Sequence, residues 1–153
     1  MDLSFSFKPN GTYHGDMVLR LAGKEWICDS YYFVIDSVLL PEVEDEAKVR
    51  AVLRRLLEQW LAALSNLKTQ DVAYLPFDFS DQCTGWLQCT RTESGFSVVS
   101  GWSSVEGWSF SPSKVGMLHS QLTDFRADGP VLEVDAFEMF AAVRNSAGAA
   151  EGI

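Results

Sequence analysis

Residues 74–113 read YLPFDFSDQCTGWLQCTRTESGFSVVSGWSSVEGWSFSPS, and the ordering of polar and apolar side chains in this stretch decides the fold. From Thr84 to Ser103 the alternation runs on both sides of Glu93-Ser94-Gly95, the pattern of two antiparallel strands joined by a tight loop. With those three residues as the loop, and glycine where positive φ is preferred, Thr92 pairs with Phe96, Gln88 with Ser100 and Trp86 with Trp102. Two tryptophans then face each other across the ladder, while Leu87, Cys89 and Val99 meet the core. A two-residue Ser94-Gly95 turn shifts the register by one and separates the pair. Ahead of the hairpin, Pro76 and the alternation of Phe77 with Phe79 predict extended chain.

Towards the amino terminus, Glu42 to Leu67 predicts a long helix. Val49, Leu53, Leu56, Trp60, Leu64 and Leu67 recur at three- and four-residue steps, which places them on one face. Pro41 and the acids Glu42, Glu44, Asp45 and Glu46 suit its positive end, and Lys48, Arg50, Arg54 and Arg55 follow one turn later. Before the helix, Ser4 to Phe7 alternates, Pro9-Asn10-Gly11 turns the chain, and Met17 to Leu21 returns as a second strand. Glu25 to Cys28 follows as a third. Tyr31 to Leu40 is an apolar run read as a buried strand, with a helix as the alternative that periodicity does not exclude.

On the carboxyl-terminal side, Val115 to Phe125 carries no clear pattern. Asp128-Gly129-Pro130 is a turn, Val131 to Val134 a short strand, and Asp135-x-x-Glu138 the cap of a helix ending near Asn145, with Phe137 and Phe140 facing inward. Residues 146–153, SAGAAEGI, read as a flexible tail. Strands, a long helix, more strands and a short terminal helix, without alternating strand-helix units, predict one α+β domain over residues 1–145. Its sheet is mainly antiparallel, with the long amphipathic helix packed on it. The order of the strands and the oligomeric state do not follow.

Charge narrows the function. The chain of 153 residues carries a net −9, and the excess acid lies outside the long helix, whose stretch 41–70 is electrically balanced. Phosphate binding needs clustered Lys and Arg, and the only cluster is Arg50, Arg54 and Arg55, so nucleic acid is not the expected ligand. A basic protein is attracted instead. No apolar run reaches the length of a membrane span, and MDLSFSFKPNG lacks the basic start and apolar stretch of an export signal, so the expected compartment is the cytoplasm and no membrane partner is expected. Cys28, Cys83 and Cys89 are then free thiols, and their spacing with His14 and His119 fits no common zinc motif. Neither a metal nor a cofactor is expected.

Gly101-Trp102-Ser103-Ser104 is echoed by Gly107-Trp108-Ser109-Phe110, but Val105 and Ser111 stand where a hydrolase elbow requires its last glycine. Cys83 or a serine as nucleophile, His14 or His119 as base and Asp78, Asp81 or Glu106 as acid are the residue types an enzyme needs, and no motif places them together. The segments PFDFSDQCTGW and GWSSVEGWSFSPS instead combine acids with large aromatics and contain no lysine. Asp78, Asp81, Trp86, Trp102, Glu106 and Trp108 are the candidate partner-binding residues. In size, element order, acidity and this tryptophan-bearing segment the chain resembles the small acidic immunity proteins of bacterial toxin systems. That resemblance implies stoichiometric inhibition, in which an acidic aromatic surface covers the basic cleft of a toxin. The alternative is a small-ligand-binding or hydrolase-like α+β domain, with Trp86, Trp102 and Trp108 forming an aromatic pocket.

Overall fold

The computed structural model describes residues 2–151. The apolar stripe of the long helix meets its expectation: in α2 (Glu46–Ser65), Val49, Leu53, Leu56, Trp60 and Leu64 are all buried, joined by Val52 and Leu57. The helix begins at Glu46, later than Glu42, because Asp45 takes the capping position and its carboxylate accepts from Lys48 N at 2.8 Å. Lys48 itself is buried and donates through Nζ to the carbonyls of Leu39 and Pro41, so the residues expected in the first turn form a segment held against the helix.

Before α2 come β1 (Leu3–Phe7), β2 (Met17–Leu21), β3 (Lys24–Cys28) and α1 (Tyr31–Val34); after it come β4 (Val72–Phe79), β5 (Thr84–Arg91), β6 (Gly95–Ser103), α3 (Leu118–Gln121), β7 (Arg126–Ala127), β8 (Leu132–Asp135) and α4 (Ala136–Ala149). All strand pairs are antiparallel. The first sheet runs β1-β2-β3; the second runs β4-β5-β6, with β7 and β8 sharing the far edge of β6. The chain is the α+β domain its sequence predicts. A single core joins Phe5 and Leu19 of the first sheet, Leu75, Leu87 and Phe96 of the second, Trp60 of α2 and Met139 of α4. Phe5 stacks on Trp60 at 5.7 Å, and Phe33 of α1 meets Phe5 and Phe79 edge-on at 6.5 and 5.4 Å, so rings tie the two sheets to both early helices.

Four local expectations are corrected. The β5–β6 register pairs Arg91 with Phe96, Trp86 with Gly101 and Gly85 with Trp102, so Trp86 and Trp102 lie on opposite faces. Glu93 and Ser94 make the loop, Thr92 N donating to Gly95 O at 2.8 Å. Gly95 is required for a different reason than a turn: a Cβ there would stand 1.9 Å from the carbonyl oxygen of Val134 on β8. Tyr31 to Leu40 forms no strand; it is one helical turn followed by a bend, which buries the adjacent Phe33 and Val34 together where a strand would send them to opposite faces. In α4 the inward stripe is Met139, Val143 and Ala147 at four-residue steps, which leaves Phe137 75% exposed while Phe140 packs edge-on to Phe96. Finally, the chain stays helical past Asn145 to Ala149, since Ser146, Ala147 and Ala150 are buried and Ser146 Oγ accepts from Phe5 N at 3.1 Å. Arg54 pairs with Glu151, and the last residues of the expected tail, 152–153, lie outside the described residues.

A candidate binding hollow of rings and carboxylates

Three loops meet here, each held by hydrogen bonds. In the β1–β2 connection, Asn10 Oδ1 accepts from Thr12 N at 3.0 Å while its amide donates to His14 O at 2.9 Å, closing a tight loop that presents His14. Asp29 Oδ1 accepts from Gly15 N at 2.7 Å, and the buried Asp16 accepts from Ser30 N and Oγ at 3.0 and 2.7 Å. These bonds fix the start of α1, whose Tyr31 and Tyr32 point outward as Phe33 and Val34 point in.

Beyond α1, the buried Asp36 is the fastener. Its carboxylate accepts from Val38 N, Leu39 N, Ser113 N and Ser113 Oγ at 2.8–3.0 Å, which ties the end of α1 to the segment after β6. That segment carries Glu106, Gly107 and Trp108. Gly107 N donates to Ser80 O at 2.7 Å, and a Cβ on Gly107 would lie 2.5 Å from that same oxygen, so only glycine lets this loop approach the β4–β5 turn. From beneath, buried Trp86 stacks on Phe110 at 5.7 Å and donates through Nε1 to Thr84 Oγ1 at 2.7 Å.

The result is an open hollow of about 680 Å³. One wall is a run of rings: His14 lies parallel to Tyr31 with centroids 5.8 Å apart, and Tyr31 meets Tyr32 edge-on at 5.2 Å. Trp108, 63% exposed, Glu106, Asp81 and Gln82 complete the lining. The Tyr32 hydroxyl donates to Asp81 Oδ1; this bond, with a lesser contribution from burial, pushes the Tyr32 hydroxyl up to about 12, so it stays a donor throughout the physiological range. His14 Nδ1 lies 3.6 Å from Asp29 Oδ2. Among the described residues no lysine or arginine lines the hollow.

Of the six candidate residues, Asp81, Glu106 and Trp108 meet here. Asp78 is half-buried behind them: burial holds its carboxyl above the ordinary range, the Ser80 hydroxyl at 3.2 Å works the other way, and the charge of Asp29 adds to the rise. Trp86 is a core residue, 0% exposed. Trp102 lies outside the lining, with Arg126 5.0 Å over its ring. The three tryptophans therefore do not form one aromatic pocket. Tyr31, Tyr32 and His14 complete the wall instead; the sequence hid the tyrosines, because adjacent residues of a strand point to opposite faces, whereas a helical turn can present both to solvent.

Of the residue types named for an enzyme, His14, Asp81 and Glu106 line the hollow together. Among the described residues neither Cys83 nor any serine is hydrogen-bonded to His14 or His119. His119 sits on α3 with Nδ1 2.8 Å from the carbonyl oxygen of Tyr74, and its Nε2 is buried without a partner. Burial lowers the His119 pKa below its ordinary value. Among the described residues no group of three or more His, Cys, Asp and Glu is placed to hold a metal ion, and no helix is long and apolar enough to cross a membrane. Cys28 and Cys89 are buried and Cys83 is exposed, all three as free thiols. Compared with protein-family models, curated proteins and solved structures, the chain matches none, so the site's own geometry carries the functional reading.

Proposed function

We propose that this hollow is the docking surface for a basic protein partner, and that the chain acts by binding and not by catalysis. The observation that carries this is the pairing of exposed large rings with carboxylates that make no ion pair among the described residues. Tyr31 and Trp108 are 41% and 63% exposed, and among the described residues Asp81 and Glu106 have no ion pair. Exposed apolar residues continue from α1 through Ile35, Val38 and Leu40, which provides the apolar area a protein interface buries. Rigid aromatics supply anchoring area and the acids steer a cationic surface into contact. In its most concrete form the partner is a toxin whose basic cleft this surface masks, an immunity role in the cytoplasm that follows from the resemblance in layout and acidity.

The test is capture from the source cell with three baits: wild type, Trp108→Ala and Asp81→Lys, each checked for an unchanged far-ultraviolet spectrum. The expected result is a single basic protein retained at a one-to-one ratio by wild type and lost from both variants. Retention of the same proteins by all three baits would exclude this surface.

A further inference from the structure

Three rings of this protein, one of them buried and two partly exposed, are packed against its own arginines. Arg50 lies 5.3 Å from the centroid of Phe7, Arg91 5.0 Å from Phe96 and Arg126 5.0 Å from Trp102. Arg50 shows the complete arrangement, because its guanidinium also reaches the Glu46 carboxylate at 3.6 Å while it covers Phe7. A planar guanidinium can stack on a ring and still direct its edge N–H groups at a carboxylate, which a lysine ammonium does less well. The hollow offers both halves of this arrangement without an arginine or lysine among its described lining residues: the exposed ring of Trp108 with Tyr31 and Tyr32 nearby, and the carboxylates of Asp81 and Glu106. Tyr32 occupies Asp81 Oδ1, leaving Oδ2 and both oxygens of Glu106 as acceptors for an incoming fork of N–H groups.

We infer that a single arginine side chain of the protein partner inserts into the hollow, its guanidinium stacked on the Trp108 ring and hydrogen-bonded to Asp81 and Glu106. This rests on the protein-binding reading and adds to it the identity of the anchor. The hollow is open, so the partner backbone beside the arginine can approach it as a loop or a chain terminus.

The experiment titrates the full chain with acetyl-Gly-Arg-Gly-amide and with the matching lysine and citrulline peptides, following the tryptophan indole N–H resonances. The Trp108 signal is assigned by its absence from Trp108→Phe. The arginine peptide is expected to move the Trp108 resonance saturably, with a dissociation constant of about 1–10 mM, the range open to one side-chain anchor. The citrulline peptide, which keeps the shape without the charge, and the lysine peptide are expected to bind at least fivefold more weakly, and Glu106→Gln to weaken the arginine peptide about threefold with the melting temperature unchanged. Equal affinity for arginine and lysine, equal affinity for arginine and citrulline, or no saturable change at Trp108 would each overturn the insertion. If the titration fails while Asp81→Lys still abolishes partner capture, the arginine anchor alone is lost; if both fail, the protein-binding reading falls with it.

Discussion

Trp108→Ala separates an exposed anchor from a core residue by magnitude. Trp108 is 63% exposed, so roughly a third of its surface is held within the fold. Truncating a fully buried tryptophan costs about 3–5 kcal/mol, and a third of that is about 1–1.7 kcal/mol, or a fall in melting temperature of about 2–7 °C for a domain of this size. Trp86, at 0% exposed and stacked on Phe110, has no such discount, and Trp86→Ala should lower the melting temperature by about 10 °C or more. Binding reverses the order for Trp108. Its exposed part is on the order of 100–150 Å², which at about 25 cal/mol per Å² is about 3 kcal/mol, a roughly 100-fold loss of affinity if a partner covers it. Thermal denaturation followed by circular dichroism, with partner retention measured on the same preparations, reads both quantities. A fall for Trp108→Ala as large as that for Trp86→Ala would place Trp108 in the core and refute the hollow as drawn.

Asp36→Ala should cost about 2–4 kcal/mol in urea denaturation, because it strands the donors of Val38, Leu39 and Ser113 that meet at one buried carboxylate. Asp78→Asn should be more stable than wild type at pH 7: a carboxyl whose folded pKa is raised loses stability as pH climbs through that value, so the advantage should shrink as the pH falls below the ordinary carboxylate range, where wild type is protonated in both states. Melting curves from pH 3 to 8 check this, and a constant offset across that span would contradict it. Of the three thiols, Cys83 alone should react with a maleimide in the native protein, whereas Cys28 and Cys89, whose pKa values burial pushes up, should react only after unfolding, as mass spectrometry of the labelled peptides would show.

The sequence made the long helix readable because its stripe is a property of the helix alone: Val49 to Leu64 repeat on one face whatever they pack against. The hairpin's position was equally legible, but its register was not. Gly95 reads as a turn residue, whereas its lack of a side chain answers to Val134 on a strand nearly forty positions later, and no local pattern carries that contact. The one-residue shift that follows sends Trp86 inward and Trp102 to the other face. Asp81, Glu106 and Trp108 were found because acids beside large rings are conspicuous in sequence. Tyr31 and Tyr32 were missed because their exposure depends on α1 being one helical turn, fixed by Asp16 and Asp36 from distant loops. Likewise α4 was mis-phased, since Phe137 is the more apolar residue yet the face is chosen by Met139 and Val143 against the sheets.

The central claim is that a protein partner covers Trp108. It is tested most directly by placing a photo-reactive benzophenone side chain at position 108 in the full chain within its source cell, with an identical probe at the exposed position 58 on α2 as control. On irradiation, position 108 should give one predominant adduct with a basic protein, competed away by excess unlabelled wild type but not by Asp81→Lys, and position 58 should give none. Identical adduct patterns from both positions, or no adduct from position 108, would contradict the account.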